Sequence, residues 1–473
     1  MTACLEVRRR LRRPHLIVWL SAAALALGPT AVASAQTVQP RPLGRDLPVY
    51  QPPAGQARPL EPRPIEDPAG AITLRAALAL ALMQNPELAA SAWAVRAQEA
   101  RLLQAGRPPN PVVTSAVEDL GGGTGFTGVE DPIQKQATIE LSQLVELGGK
   151  RAARRTLAAS NRDLTAWDFE TTRMDVLTRV TQAFVDVLAS QRAVELADDT
   201  VGIVEAVRRA VALRVTAGVA SPIEQTKADV AVAAVRIESN RARRALDADR
   251  QRLAALWGST SPRFEAAVGD LTSPPRLPAF EELRARLSGS PDVARWVAEL
   301  AQRQAALAVE RAKRIPDVSV SGGYRRYPEI ARGAFVLGAS VALPLFDRNR
   351  GAVQEARDRL SQAQEAQRAA QVRVTALLAD AYRALSSAAD EASALEAAVL
   401  PGARAAFAAV EEGYRLGRFG YLDVLDAQRT LAAANGQHLR ALAEYHKAVA
   451  DVERLIGAPL NTTAPSPATS DRK

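Results

Sequence analysis

Cysteine is nearly missing from this chain. Its 473 residues include one, Cys4, close to the N-terminus. A lone thiol makes no disulfide, and with Cys4 inside a segment expected to be removed, no thiolate ligand, cysteine nucleophile or lipid-bearing cysteine remains. Histidine and methionine are as scarce: past residue 35 there are only His438, His446, Met83 and Met174. The two histidines are eight positions apart on one predicted helix, too far to share a metal, and read as surface residues. That inventory predicts no metal site and no cofactor. Catalytic signatures are lacking too: there is no nucleophile elbow and no HExxH, and GGGTG (121–125) lies between predicted strands without the strand–turn–helix setting of a phosphate loop. No catalytic residue is expected, and the chain does not read as an enzyme.

Long apolar runs are also absent after residues 16–28 (LIVWLSAAALALG), so no helix of about 18 apolar residues crosses a bilayer. That first run follows Arg8, Arg9, Arg10, Arg12 and Arg13 and precedes Ala33-Ser34-Ala35, which makes residues 1–35 a secretory signal with the mature chain starting near Gln36. The formal charge of +8 falls to +4 once those residues go, too little to imply nucleic acid as a partner. Residues 36–71 form a Pro-rich extended arm, with nine prolines between Pro40 and Pro68, and 459–473 an uncommitted tail.

What is present between them is a duplication. NPELAASAWAVRAQEARLLQAGRPPNPVVTSAV (85–117) aligns with SPDVARWVAELAQRQAALAVERAKRIPDVSVSG (290–322) at an offset of 205, with Pro86 over Pro291 and Pro111 over Pro316. RVTAGVASPIEQTKAD (214–229) lies over YRLGRFGYLDVLDAQ (414–428), with Gly218 over Gly417 at an offset of 199. Two units, 72–272 and 273–458, each read as helix, strand, strand, very long helix, glycine break and last helix. The helices are placed at 73–105, 151–216 and 222–257, then 281–313, 351–413 and 421–456; the strands at 111–118 and 135–147, then 317–325 and 334–344. A helix of about 65 residues reaches roughly 100 Å, longer than any compact core needs. Its stripe of Leu157, Leu164, Trp167, Met174, Leu177, Phe184 and Leu188 is the pattern of rods packed side by side in coiled-coil fashion. Gly202 and Pro401 predict a kink midway along each.

The strands alternate. Ala137, Ile139, Leu141, Val145 and Leu147 alternate with Gln136, Thr138, Glu140 and Ser142, and Phe335, Leu337, Ala339 and Val341 with small residues. This suits a barrel strand with lipid on one side and water on the other, or a sandwich strand with one buried face. Tyr324, Tyr327, Phe335 and Phe346 near strand ends suit an interfacial girdle. Four strands cannot close in lipid, where edge amides go unsatisfied, so a barrel requires several copies of the chain.

One stretch poses a question of its own: YRLGRFGYLDVLDAQRTL (414–431) breaks at two glycines and restarts with Asp423 and Asp426, three apart and so on one helical face. Acids in a first turn are favoured by the helix dipole, and that alone explains them unless the rest of the fold gives them a setting.

The repeat, the strand positions, the glycine-containing turns and LVELGGKR (144–151) together resemble the TolC-like outer-membrane efflux proteins, and within them the CzcC-type component of heavy-metal resistance-nodulation-division pumps. The likeness covers about 72–458. It implies a mainly α fold with a membrane β-barrel: a homotrimer in which a 12-stranded barrel in outer-membrane lipid continues into a periplasmic α-helical tunnel. It also implies a periplasmic adaptor and an inner-membrane pump as partners, with metal cations, drugs or a secreted polypeptide as cargo. By the same resemblance Asp423 and Asp426 ring the periplasmic entrance, and Tyr414 bonds across to the acidic position held by Glu224. Phe419 stands where an arginine is common, with Arg418 as its neighbour. Gly218, Ser221, Pro222, Gly417, Gly420 and Tyr421 form the turns that meet the adaptor. A periplasmic adaptor is the rival of a different class, but it would have one helical hairpin, whereas here strands recur inside two helical units.

Overall fold

The computed structural model describes residues 46–52, 67–118, 135–271, 277–328 and 331–460. The signal segment, most of the Pro-rich arm, the GGGTG loop and the tail after 460 lie outside the described residues. In chain order the elements are β1 (Gly70–Thr73), α1 (Leu74–Gln84), α2 (Pro86–Ala105), β2 (Val112–Glu118), β3 (Gln136–Val145), α3 (Lys150–Thr216), α4 (Pro222–Ala255) and β4 (Phe264–Val268). They continue as α5 (Phe280–Arg286), α6 (Pro291–Ala312), β5 (Val318–Tyr327), β6 (Arg332–Val341), α7 (Arg350–Ala394), α8 (Leu400–Arg415) and α9 (Tyr421–Ile456).

The lengths define the layout. α3 has 67 residues, about 100 Å of helix at the usual rise. α4 has 34, about 50 Å, and so retraces only half of it. The second unit repeats this inequality: α7 and α8 with the turn between them make 66 residues, answered by 36 in α9. The stretch within Arg350–Arg415 is apolar enough by composition to cross a bilayer, yet it is the alanine-rich rod that packs along α6 and α9. Where the returning helices end, the cores form. Trp257, Leu253, Val180 and Phe184 pack with Ala77 and Phe264 in one, and Leu378, Leu385, Tyr445, Val452 and Ile456 with Leu283 in the other. Alanine-rich rods bury little per residue, so these large side chains, at roughly 1.5–3 kcal/mol each, give the molecule its stable belt. Polar ties join the halves there: Arg454 donates to Asp175 at 2.5 Å and Arg295 to Asp168 at 2.6 Å, while Asp292 steadies Arg454 from within its own half at 3.1 Å.

Several expectations need correcting. The helices expected at 73–105 and 281–313 are each broken, at Asn85 and Ser290, the residues before Pro86 and Pro291. A proline ring drives its predecessor out of the α region, and ψ is 123° at Asn85 and 140° at Ser290. The proline then opens a new helix, where its missing N–H costs nothing. Asn85 caps α2 by accepting the Leu88 N–H at 2.9 Å, and its amide donates to the Leu256 carbonyl at 2.8 Å. The two kink positions also part company. α3 runs helical through Gly202, where glycine costs only about 1 kcal/mol against alanine. Ahead of Pro401 the helix widens into one π turn, Leu395–Val399, which accommodates the carbonyl that proline cannot bond.

β1 and β4 pair in parallel and were not foreseen, being too short, at four and five residues, for alternation to register. The arm, expected to have no core of its own, borrows one: Tyr50 is buried, its N–H donates to the Leu82 carbonyl at 3.1 Å, and Leu47 and Val49 pack on Leu82, Leu88 and Met174. Asp67 accepts from the Trp257 indole at 2.9 Å and the Ser259 hydroxyl at 2.5 Å.

The remaining strands form one antiparallel sheet in the order β2-β3-β5-β6. Val113, Leu141, Gly322 and Leu337 stand in one row, and Ser115, Ile139, Tyr324 and Phe335 in the next. This face is bare: Val113 is 69% exposed, Ile139 64%, Phe335 87% and Leu337 86%. The other face carries Thr114, Glu140 and Gly323, then Thr138 and Arg325, whose guanidinium donates to the Thr138 hydroxyl at 3.1 Å. Tyr324 meets Phe335 edge-on at 5.7 Å near one end of the bare face, and Phe346, fully exposed, lies past the other end. Tyr327 falls on the polar face by register, so it is not part of that girdle.

Candidate functional site

At the end of the rods far from the sheet, two turns close the helical hairpins with one hydrogen-bond pattern. After α3, the Val219 N–H donates to the Arg214 carbonyl and the Gly218 N–H to Val215, both at 3.0 Å; after α8, the Arg418 N–H donates to Gly413 at 2.7 Å and the Gly417 N–H to Tyr414 at 3.0 Å. These are Schellman turns, which need a left-handed residue, supplied by Gly218 at φ 73° and Gly417 at φ 75°. The restarts differ. Ser221 caps α4 with Pro222 in its first turn, whereas Gly420 before Tyr421 has no side chain, and its N–H is taken by the Asp423 carboxylate at 2.8 Å.

Between the turns lies a small core of Val207, Val211, Ala228, Phe407, Tyr414, Tyr421 and Val424. The bond expected between Tyr414 and Glu224 is not formed. The Tyr414 hydroxyl is buried with no hydrogen-bond partner among the described residues, as is that of Tyr421. Burial pushes the Tyr414 phenol above its ordinary pKa, Arg214 opposes that, and Glu224 adds to it through space. The link between the two hairpins comes instead from Arg214. Its Nη1 donates to the Tyr414 carbonyl at 2.7 Å while its guanidinium lies 4.7 Å from the centre of the Tyr414 ring. A cation in the last turn of α3, reaching the last turn of α8, meets the negative ends of two helices at once. Arg214 was missed in the sequence, although it opens the aligned segment RVTAGVASPIEQTKAD, over Gly413 at the offset of 199. Arg418 is exposed and forms no ion pair among the described residues. Phe419 lies against Gly413, where any β-carbon would collide with its ring.

Asp423 and Asp426 are both exposed near the start of α9 but do different work. Asp423 is the helix-start acid of the simpler reading, engaged by its own turn. Asp426 lines an open cavity of about 530 Å³ between α4 and α9, beside Lys227 and Arg429. His438 and His446, expected on the surface, are half-buried in α9, with His446 edge-on to Tyr445 at 5.1 Å.

A four-stranded sheet with one bare apolar face, set on rods about 100 Å long, describes one subunit of a membrane channel, since the edges of β2 and β6 need partners that lipid cannot supply. The chain belongs to the outer membrane efflux protein family, whose profile matches residues 77–259 and 283–458. It is an outer-membrane efflux component with a long periplasmic helical part. It is 38% identical over 389 residues to the cobalt-zinc-cadmium resistance protein CzcC of Cupriavidus metallidurans, covering 82% of this chain and 91% of that one. To the pyoverdine export outer membrane protein OpmQ of Pseudomonas aeruginosa it is 28% identical, covering 77% and 81%. In fold it is similar to the outer membrane protein VceC of Vibrio cholerae, with a TM-score of 0.69 at 17% identity over 82% of this chain and 96% of that one.

Proposed function

We propose that this chain is the exit duct of a tripartite resistance-nodulation-division system that exports heavy-metal cations, working as a homotrimer with a periplasmic adaptor and an inner-membrane pump. The observation that carries this reading is the 38% identity to a cobalt-zinc-cadmium resistance protein along 91% of its length. Three copies of the four-stranded sheet give twelve strands, enough to leave a water-filled lumen lined by the polar face. Among the described residues no cluster of His, Cys, Asp and Glu could cage a metal ion. In this reading the duct acts on cations through its field, and the choice of cargo lies with the pump.

At the tip, Asp426 with Asp423 places six carboxylates round a narrow entrance, a confined ring that attracts cations far more than scattered surface acids do. Their mutual repulsion favours opening. Arg214 on Tyr414 holds the hairpins together against it, with Glu224 near enough to act on Tyr414 through space. The turns from Gly218 through Ser221 to Pro222 and from Gly417 through Gly420 to Tyr421 receive the adaptor, because glycine lets a partner backbone come close. Deleting the gene and restoring it tests the cargo. Growth in cobalt, zinc and cadmium should fall and recover. The similarity to a pyoverdine export protein supports a second reading, so unchanged metal tolerance with lost secretion of pyoverdine would assign the duct to organic cargo.

A further inference from the structure

Two cations on the sheet stand apart from the tip. Arg326 lies on the apolar face of β5, one outward position beyond Tyr324, and pairs in register with Ala137. Lys135 is the next outward position before Ala137 on the neighbouring strand, which places it diagonally across from Arg326. Both are exposed, and neither has an ion-pair or hydrogen-bond partner among the described residues. A cation facing lipid is tolerated only near the membrane interface.

Topology says which interface. α2, α3, α6 and α7 all meet the sheet at one end, the periplasmic one, while Lys135 and Arg326 sit at the other, where β5 turns back into β6. The Tyr324 side chain leans the same way. Its ring covers Gly333, where a β-carbon would collide with the hydroxyl, and Gly333 is the register partner of Arg326. A phenolic O–H, a guanidinium and an ammonium thus share one patch just above the apolar band. β3 and β5 are the inner strands of the sheet, so copies of the chain joining at the β2 and β6 edges leave this patch uncovered by the described residues.

We infer that Arg326, Lys135 and the Tyr324 hydroxyl bind a phosphate of the phosphorylated glycolipid that fills the cell-surface leaflet of an outer membrane. Arginine supplies a fork for two phosphate oxygens, lysine a second charge, and the phenol a further donor. The inference rests on the outer-membrane placement and orientation of the channel.

Native mass spectrometry of the purified full-length protein in detergent, offered bisphosphorylated lipid A, monophosphorylated lipid A or phosphatidylglycerol, tests it. The wild type should retain the bisphosphorylated form best, and Arg326→Gln with Lys135→Gln should reduce that retention about tenfold or more. Arg325→Gln, on the polar face, should leave it unchanged. Equal retention by the double variant would overturn the site, and so would equal retention of phosphatidylglycerol by the wild type. Should the double variant fail to assemble, Arg326→Gln alone is read against the same two outcomes. Fractionation of the same cells keeps the two readings apart: a chain missing from the outer membrane refutes the channel, and a chain present there without lipid A refutes only this site.

Discussion

Replacing Arg214 by alanine should open the tip. The substitution removes a charge-assisted hydrogen bond to the Tyr414 carbonyl, worth about 1.5–3 kcal/mol, and a cation–π contact worth about 0.5–2 kcal/mol. Arg214 is only half-buried, so the low end applies, about 2 kcal/mol per copy. If the three copies of the proposed trimer part together, about 6 kcal/mol leaves the closed state, enough to carry a population from roughly 99% closed to 99% open. Single-channel recording of the purified protein in planar bilayers reads this directly, as a change from brief, small openings to a sustained large conductance. Tyr414→Phe keeps the ring and the carbonyl and removes only a hydroxyl that bonds nothing among the described residues, so it should stay closed, as should Glu224→Gln. A quiet Arg214→Ala channel beside an open Tyr414→Phe or Glu224→Gln channel would refute the assignment and restore the hydroxyl–carboxylate bond as the latch.

Asp426→Asn should weaken cation selectivity and block by multivalent cations without changing the melting temperature. Asp423→Ala should weaken selectivity likewise and also lower the melting temperature, because it strips the acceptor from the Gly420 N–H, a cap worth about 0.5–2 kcal/mol. Gly148→Ala should loosen the junction of β3 with α3 by about 1–3 kcal/mol and lower the melting temperature, since φ there is 68° and the new β-carbon would meet Ile315 Cβ at 2.8 Å. The same junction should make the protein acid-sensitive. The Arg154 guanidinium holds the Glu146 carboxyl below its ordinary range. Partial burial pushes Asp317 up, but bonds from Lys150 and the Leu147 N–H outweigh that and leave it lowered as well. Stabilisation by such groups is complete above the unfolded carboxylate value of about 4 and is lost as pH falls through the lower folded values. Between about pH 7 and pH 3 the wild type should therefore lose more melting temperature than Glu146→Gln with Asp317→Asn.

The rods and the barrel strands were legible because each repeats a simple period over many residues. The expected ends of the long helix at 151 and 216 fall within a residue of Lys150–Thr216. Short elements were not legible: GAIT and FEAAV find each other across the chain only once the rods bring them together. The breaks at Asn85 and Ser290 were written in the sequence, in the very prolines that reveal the duplication, and the apolar pattern running through them concealed the interruption. The tip was half legible. Its turns follow from glycine, and Asp423 and Asp426 from their spacing. The partner of Tyr414 did not follow, because Arg214 acts on a backbone carbonyl and a ring face, neither of which leaves a sequence signature.

The two tip turns share a backbone, yet at matching places one has Arg214 and Val215 where the other has Gly413 and Tyr414. Were both hairpins copies of the first, Arg214 would find no ring to cover; were both copies of the second, the Tyr414 carbonyl would find no guanidinium. Two unlike hairpins in one chain escape this restriction, because each contact within a copy can join a cation to the face it needs. Drift between the twin halves therefore gave this tip a cation on one hairpin and its ring and carbonyl on the other.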